Sequence, residues 1–319
     1  MSNSRFLVVR LGAMGDIIHA LPAASALKRT WPGCRLVWAV QPKWRDLLEG
    51  GGVADELIEI DRANLGSVTA AYRRLRAGAF DFTIDFQGLI KSALLARTAS
   101  TAVRYGFARS QLREPAAAFL YTRRFLCPAS HVVDRNLELA AHAAAAAGPV
   151  EFPLPTGKPE GDLPSGPFVL ASPLAGWKSK QWPLEHWAAL ARLLHGQTNY
   201  RLVVNGPPAA ASLVSSIPGA FLHASSIAGL IDATRRAAAV AGLDSGPVHL
   251  AAALSKPGIA LFGPTDPARN GPYGGSIRSL RVPDAQTTYA REDTIHPSMR
   301  ALTPESVFRA LMDVLESSR

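Results

Sequence analysis

The chain has 319 residues, 48% of them hydrophobic and 18% charged, which is the composition of a soluble globular protein. One hydrophobic core usually stops growing below this length, so we expect two domains. No apolar run approaches the ~20 residues of a membrane-spanning helix, and the N-terminus lacks the pattern of a signal peptide. Cys34 and Cys127 are far apart in sequence, which argues against a disulfide framework or a zinc site and favours a reducing cytoplasm.

The net charge of +9 is concentrated in the first half of the chain. Residues 1–150 carry 19 Lys/Arg and 12 Asp/Glu, whereas residues 151–319 carry 15 and 13. Such asymmetry predicts an anionic partner for the first half, which could be nucleic acid, a membrane surface or an acidic substrate. For any single arginine, a solvated basic surface is the simpler reading. Nucleic acid is disfavoured because the basic residues are not interleaved with aromatic residues and match no RNA-binding pattern.

The first half of the chain alternates apolar runs with helical segments. The apolar runs predict strands at residues 5–11, 35–41, 55–61, 80–88 and 102–107. The helical segments between and after them begin with one that runs from Asp16 to Thr30. Short apolar runs that alternate with helices indicate a parallel sheet covered by helices on both faces.

A stretch rich in Pro and Gly, residues 148–167, predicts a linker between two domains, 1–155 and 156–319. After it, the runs predict strands at 168–173, 200–206, 220–225, 238–246 and 258–264. We therefore expect an α/β protein with two Rossmann-like, doubly wound parallel-sheet domains. Their carboxyl strand ends would face a central cleft, since open parallel sheets bind ligands there. The last helix of the chain is a candidate to pack back on the first domain.

The first candidate site follows the first strand, in "LVVRLGAMGDIIHALPA". Gly12 and Gly15 would let the backbone approach a ligand closely, and Asp16 opens the next helix. The three-glycine dinucleotide fingerprint is absent, and Gln41 stands where a ribose-binding acid is expected, so NAD binding is disfavoured. Read alone, Asp16 is either a helix cap or a chemical group, and His19 is either a site residue or a buried structural histidine.

The second candidate site is the loop in "SPLAGWKSKQWPLEHW", which follows the first strand of the second domain. It carries Lys178 and Lys180, and a helix with proline in its first turn comes next. Each ammonium is a mobile point charge, so two of them at the carboxyl end of a strand suit a diphosphate. The alternative is that both lysines are solvated loop residues without a role in binding.

The third candidate site is "GLDSGPVHLAAAL", where a strand ends and a helix begins. Ser245 and Gly246 lie at the helix N-terminus, where an anion would accept bonds from backbone N–H groups, and His249 lies one turn further on. Asp244 is better suited to accept bonds from turn amides or from a sugar hydroxyl. The chain has no nucleophile elbow, no P-loop and no carboxylate cluster, so neither a metal nor another cofactor is expected.

Together these stretches resemble the inverting glycosyltransferases of family 9, the ADP-heptose:lipopolysaccharide heptosyltransferases. "VVRLGAMGDIIHALPA" is similar to the family's N-terminal motif, "SKQWP" to its lysine loop, and "GLDSGPVHLAAAL" with "GPTDP" to its nucleotide-sugar motif. "FQGLIKSALLART" and "REPAAAFLYTRR" look most like the type I branch, which adds the first heptose to a Kdo residue of lipid A. The resemblance implies the GT-B architecture and a donor, ADP-heptose, that is used without metal.

The resemblance also implies a role for each matching residue. Asp16 would be the general base, and the donor would be bound by Gly12, Gly15, Lys178, Lys180, Asp244, Ser245, Gly246 and His249. The anionic acceptor would meet Lys91, Arg104, Arg113, Arg123 and Arg124. Such an enzyme would act as a monomer at the cytoplasmic face of the inner membrane, in peripheral contact with it and without nucleic acid.

Two departures and two alternatives accompany this interpretation. Residues 207–212, "PPAAAS", stand where relatives often carry an acid near the nucleoside, and "TIHPSM" (294–299) stands where many carry cysteines. One alternative is a related transferase with another nucleotide sugar or another glycan acceptor, such as a type II heptosyltransferase. The other is a non-enzymatic glycolipid-binding module, which would not need Asp16 or Lys180.

Overall fold

The computed structural model describes residues 4–143, 145–206, 212, 215, 217–288 and 290–317. The chain divides into two compact units, Met1–Pro155 and Thr156–Arg319, whose boundary falls in the Pro- and Gly-rich stretch. Among the helices of the described ranges, none is both long enough and apolar enough to cross a bilayer.

The first unit contains a six-stranded parallel sheet with the order β3-β2-β1-β4-β5-β6. Its strands are β1 (Arg5–Val9), β2 (Arg35–Val40), β3 (Glu56–Glu59), β4 (Phe82–Asp85), β5 (Val103–Phe107) and β6 (Arg123–Phe125). Its helices are α1 (Met14–Ile18), α2 (Leu21–Thr30), α3 (Leu65–Ala77), α4 (Ile90–Thr98) and α5 (Val132–His142). The strand order reverses between β1 and β4, so the loops that follow these two strands lie where such sheets bind ligands.

The second unit has the same topology, with the order β12-β11-β10-β7-β8-β9. Its strands are β7 (Phe168–Ser172), β8 (Arg201–Gly206), β9 (Phe221–Ala224), β10 (Ala239–Leu243), β11 (Gly258–Phe262) and β12 (Ile277–Arg281). Its described helices are α6 (Leu184–Gln197), α7 (Ile227–Arg236), α8 (Gly246–Ala253), α9 (Pro267–Asn270), α10 (Pro297–Arg300) and α11 (Pro304–Ser317). The order reverses between β7 and β10, and α11 packs against α6 and β11.

The central strands are buried along nearly their whole length, as expected of parallel sheets with helices on both faces. Every residue of β7, β10 and β11 is buried, as are four of the five residues of β1. This burial explains the continuous apolar runs in the sequence. The expected α/β fold with two doubly wound parallel sheets is confirmed.

The structure differs from the sequence prediction in two kinds of element. The helix predicted from Asp16 to Thr30 is two helices, α1 and α2, since Pro22 has no N–H to donate to the preceding turn. The sequence did not reveal β6 and β12, whose residues are largely exposed or half-buried. Short outer strands of this kind lack the apolar run by which the inner strands are recognised.

Candidate active-site residues

Asp16 lies in the first turn of α1, just beyond the carboxyl end of β1. Its Oδ2 accepts a hydrogen bond from the Ala13 backbone N–H at 3.1 Å, and its Oδ1 forms an ion pair with Arg10 Nη2 at 2.7 Å. The Asp16 side chain is 42% exposed. The carboxylate is therefore fixed from one side and accessible to solvent from the other, and Asp16 closes the start of the helix.

Arg10, which the sequence analysis did not single out, is the residue that orients Asp16. Its side chain is 9% exposed, and its Nη1 donates to the Phe86 carbonyl at 2.5 Å while its Nη2 contacts Asp16. A planar guanidinium held at two points is a rigid partner for a carboxylate. The sequence signal is one cation at the end of the apolar run "FLVVR", a position where buried charge needs a partner.

Gly12 is explained by local packing. Its φ is +151°, and a Cβ atom at this position would lie 2.5 Å from Trp44 Nε1. The space that a Cβ atom at Gly12 would need is therefore occupied by a side chain of the same unit. Gly15 is buried within α1. The donor-binding role expected for Gly12 and Gly15 stays a prediction.

His19 is a core residue. It is 3% exposed and meets the ring of His131 edge-on, with the ring centroids 5.9 Å apart. Its backbone carbonyl accepts a hydrogen bond from Asn136 Nδ2 at 3.0 Å, which ties α5 to the end of α1. Of the two readings left open by the sequence, the structure supports the buried structural histidine.

A buried carboxylate, Asp85, holds the loop beside Arg10. It accepts hydrogen bonds from the Tyr121 hydroxyl at 2.7 Å and from the backbone N–H groups of Gln87 and Gly88 at 2.8 and 3.2 Å. Burial raises the pKa of Asp85, and these hydrogen bonds act in the opposite direction. Burial and then the adjacent Asp85 carboxylate raise the pKa of Tyr121, whose hydroxyl therefore stays a donor. The network fixes the loop that supplies the carbonyl partner of Arg10.

We expect Tyr121→Phe to destabilise the first unit by about 1–3 kcal/mol, and more above the raised pKa of Asp85 than below it. A raised pKa means that folded Asp85 holds its proton more tightly than the unfolded chain does. The stabilisation that comes from the tightly held Asp85 proton is therefore complete below the ordinary aspartate pKa and is lost as the pH rises through the raised pKa. Above that pKa, the Tyr121 hydroxyl stabilises the charged Asp85 carboxylate. Removing the hydroxyl therefore lowers the free energy of unfolding most at high pH. Urea unfolding over a pH series that starts below the ordinary aspartate pKa measures this, with half-exposed Tyr72→Phe as the control. A loss that falls as the pH rises would contradict the assignment.

In the second unit, Asp244 is the centre of a cluster formed by the loops after three neighbouring strands. Its Oδ2 accepts from Lys180 Nζ at 2.5 Å and from Thr265 Oγ1 at 2.7 Å. His249 Nε2 lies 3.9 Å from Oδ1. The Lys180 and Asp244 side chains are only 16% and 10% exposed. The structure gives Asp244 two partners that the sequence did not predict, Lys180 and Thr265, and the expected bond to a sugar hydroxyl stays a prediction.

Lys180 also contacts an aromatic ring. Its Nζ lies 4.4 Å from the ring centroid of Trp177, and the guanidinium carbon of Arg291 lies 4.9 Å from the same centroid. Cations at these distances interact favourably with an indole ring. Lys178 is exposed at the start of the same short turn. Trp177 and Thr265 stand inside quoted motifs and could have been noticed, whereas nothing in the sequence pointed to Arg291.

The N-terminus of α8 adjoins this cluster, directly after Asp244. Ser245 is the N-cap residue, but its hydroxyl donates to the Leu243 carbonyl at 3.2 Å and forms no cap bond to the helix. The first-turn N–H groups therefore have no side-chain cap from Ser245. Gly246 begins the helix, and His249 is buried one turn further on. Positive charge and backbone donors thus lie together at the carboxyl edge of this sheet.

The five basic residues expected to meet the acceptor fall into two groups. Lys91, Arg113, Arg123 and Arg124 are exposed in the first unit. Arg104 differs, because its guanidinium donates to the carbonyls of Leu120 and Thr101 at 2.9 and 2.6 Å near the start of β5. Burial and then the nearby Arg97 lower the pKa of Arg104. The side chain braces the fold, and we leave it out of the proposed acceptor site.

The predictions about residues 207–211 fall outside the described residues. In "TIHPSM", the His296 ring accepts from the Ser298 N–H and caps α10. Within the described ranges no three His, Cys, Asp or Glu side chains are grouped as a metal site would require.

Comparisons with known proteins identify the family. The model of glycosyltransferase family 9 (heptosyltransferase) matches residues 68–297. Lipopolysaccharide heptosyltransferase 1 of Pseudomonas aeruginosa is 31% identical over 299 residues, which cover 85% of this chain and 82% of that protein. The Escherichia coli K12 protein of the same name is 28% identical over 308 residues, covering 88% and 94%. These relatives agree with the predicted resemblance to the type I branch.

The solved structure of E. coli heptosyltransferase WaaC with ADP is similar in fold. It superposes with a TM-score of 0.80 at 26% identity, covering 97% of this chain and 99% of that chain. WaaC with ADP-2-deoxy-2-fluoro heptose gives a TM-score of 0.79 at 25% identity. These matches fit the GT-B type of architecture that the motifs implied. The family model spans well over half of the 319 residues, so the chain belongs to glycosyltransferase family 9, the heptosyltransferases.

Proposed function

We propose that this glycosyltransferase moves heptose from ADP-heptose to a Kdo residue of the lipopolysaccharide inner core, with inversion at the anomeric carbon. The Lys180 ammonium, which Asp244 holds beside the N-terminus of α8, carries this proposal, because a cation next to helix N–H groups suits a diphosphate. The names of the similar proteins, which are lipopolysaccharide heptosyltransferases, and the ADP bound by WaaC support the choice of donor.

In this mechanism the donor is held by the second unit. Lys180 has three N–H donors, of which one goes to Asp244 while the others are available for phosphate oxygens. The first-turn N–H groups of α8, with Ser245 and Gly246, and the ring of His249 add further donors. Asp244 keeps the Lys180 ammonium in place, and Lys178 is a second cation for the outer phosphate. These groups stabilise the charge that builds on the leaving diphosphate without requiring a metal.

Asp16 acts as the general base. The acceptor hydroxyl oxygen bonds to the anomeric carbon while the bond from that carbon to the diphosphate oxygen breaks, and its electron pair leaves with ADP. The hydroxyl proton passes to the exposed side of the Asp16 carboxylate, which Arg10 and Ala13 hold from the other side. An aspartate is a weak base, so we infer that the proton leaves late, when the attacking oxygen has become acidic. Rigid positioning then matters as much as basicity.

The acceptor is proposed to meet the first unit through its exposed cations. Lys91, Arg113, Arg123 and Arg124 are suited to the carboxylates of Kdo and the phosphates of lipid A. The enzyme would work as a monomer at the cytoplasmic face of the inner membrane and in peripheral contact with it, since its acceptor is a lipid.

Mass spectrometry of the product tests this proposal. ADP-heptose and a Kdo-bearing lipid A acceptor should give one added heptose and one ADP for each transfer, with turnover unchanged by a chelator. Parallel reactions with UDP-, GDP- and CMP-sugars test the donor, and acceptors that already carry heptose test a type II activity. If transfer occurs only from a UDP-, GDP- or CMP-sugar, the proposed donor is wrong. If it occurs only to an acceptor that already carries heptose, the proposed acceptor is wrong. Binding of the glycolipid without any transfer would make the protein a non-enzymatic module.

A further inference from the structure

Two helices of the first unit, α3 and α4, carry large apolar side chains that are exposed to solvent. Leu65 is 82% exposed, and Tyr72 lies two helical turns further along the same face of α3. On α4, Ile90 and Leu94 are four residues apart and are about two-fifths exposed. These four residues, which we call the α3/α4 face, include nearly half of the large exposed hydrophobic side chains of the described chain.

An apolar cavity lies within this face. It has a volume of about 240 Å³, and its walls include the buried side chains of Leu11, Ile60 and Leu95 together with Tyr72 and Leu94. Arg62 and Lys91 are the charged residues that line it. The surface is therefore recessed and apolar in the middle and cationic at the edge.

The charge of the two helices has one sign. Their sequences, "LGSVTAAYRRLRA" and "IKSALLART", contain five basic residues and no acidic residue. By contrast α11, another surface helix, carries Glu305, Asp313 and Glu316 against a single arginine, Arg309. On α3, Arg74 forms an ion pair with Glu56, whereas Arg73 and Arg76 are exposed beside Tyr72. Off the two helices, the Glu114 carboxylate accepts a hydrogen bond from the Ile90 N–H at 2.7 Å, so cations predominate around this face but one acid lies beside it. Exposed apolar side chains among an excess of cations are the signature of a surface that lies against anionic lipid.

We propose that the α3/α4 face is the part of the molecule that rests on an anionic phospholipid bilayer. Leu65, Tyr72, Ile90 and Leu94 enter the boundary between headgroups and acyl chains, and Arg73 and Arg76 contact the phosphates. This inference rests on the proposed function, which gives the enzyme a lipid acceptor, and it names the surface through which the membrane is met. A second copy of the chain is disfavoured as the occupant, because two such faces would bring together the helix cations of both copies, of which, in the described part of the chain, only Arg74 is ion-paired.

Vesicle flotation with the full chain tests this surface. We expect the wild type to bind vesicles of phosphatidylethanolamine and phosphatidylglycerol, to bind phosphatidylcholine vesicles weakly, and to be released by high salt. Leu65→Gln with Leu94→Gln should weaken binding by roughly tenfold, since two apolar anchors are lost. Arg73→Gln with Arg76→Gln should weaken binding to the anionic vesicles alone.

The matched controls change equally exposed residues elsewhere. Leu126→Gln, after β6, removes an exposed leucine of the same unit, and Arg192→Gln with Arg309→Gln removes two exposed arginines of the second unit. Both should bind vesicles as the wild type does. Wild-type binding by the Leu65/Leu94 variant would overturn the proposal, as would equal losses in the controls. If the variant instead converts a dimer to a monomer in analytical ultracentrifugation, the face belongs to a second copy and the proposal is wrong.

Activity measurements separate this inference from the proposed function. With a detergent-dispersed acceptor, the Leu65/Leu94 and Arg73/Arg76 variants should keep wild-type kcat, because none of these residues belongs to the proposed site. If the wild type binds vesicles but transfers no heptose, the proposed function alone is refuted. If the wild type transfers heptose but the Leu65/Leu94 and Arg73/Arg76 variants bind vesicles as the wild type does, this inference alone is refuted.

Discussion

Asp16→Asn is expected to lower kcat by two or more orders of magnitude while leaving the fold and ADP binding intact. The amide still offers an oxygen to Arg10 or to the Ala13 N–H, so most of the local geometry survives. What is lost is the ability to accept the acceptor proton, and general-base catalysis contributes typically 10²–10⁴-fold. Steady-state kinetics, together with calorimetric titration of ADP, measures the two effects separately.

A matched control distinguishes the loss of a base from the loss of a helix-terminal acid. Asp134 is likewise an acid in the first turn of a helix of the first unit, α5. Asp134→Asn should leave kcat near the wild-type value. If Asp16→Asn also turns over at near-normal rates, Asp16 is only a cap and the proposed mechanism fails.

Arg10→Lys separates the orientation of the base from its identity. A lysine keeps the positive charge beside Asp16, but it cannot contact both the Phe86 carbonyl and the carboxylate with a planar fork. We expect kcat to fall by roughly tenfold, a smaller loss than that of Asp16→Asn, because the base remains and only its positioning is relaxed. A kcat equal to that of the wild type would mean that Arg10 has no positioning role.

Lys180→Ala is expected to weaken ADP binding by roughly 10–100-fold and to lower kcat as well. A hydrogen bond to a charged group contributes about 1.5–3 kcal/mol, and the same ammonium would stabilise the leaving diphosphate. Isothermal titration with ADP measures the first effect, and turnover at saturating ADP-heptose measures the second.

Thr265→Val is the matched control for Lys180→Ala. It removes the second donor to Asp244 Oδ2 but leaves the lysine in place. If Lys180 meets the phosphates directly, Thr265→Val should change ADP affinity much less than Lys180→Ala does. Equal losses would mean that both residues act only by holding the Asp244 loop, and an unchanged affinity in Lys180→Ala would exclude its role in donor binding.

The order of strands and helices could be read from the sequence because it depends on local patterns. Strands such as "RFLVV" and "AVAGL" are buried on both faces of a parallel sheet, so nearly all of their consecutive residues are apolar. The loops that follow β1, β7 and β10 were found for the same reason, since each interrupts an apolar run with glycine or charge. Asp16, Lys180 and Asp244 were therefore candidates before any contact was known.

The sequence predicted less about exposed segments and side chains than about buried ones. The outer strands β6 and β12 have no apolar run, so they could not be recognised. Likewise, no sequence pattern distinguishes Arg104 from Arg123 and Arg124. Only the structure shows that the Arg104 guanidinium is used by two backbone carbonyls while the other two arginines are exposed.

By itself, then, the sequence determined the class of fold, the positions of the strand-end loops and the kind of chemistry that their side chains can perform. The tertiary structure decided which of those side chains meet. Asp85 and Tyr121 are 36 residues apart, and Lys180 and Asp244 are 64 apart, yet each pair is joined by a hydrogen bond. For Lys180 and Asp244 the physical reason is that parallel strands distant in sequence end at the same edge of a sheet, whereas Asp85 ends β4 and Tyr121 precedes β6. In both cases the partner of a charged side chain is set by strand order, which no local pattern contains.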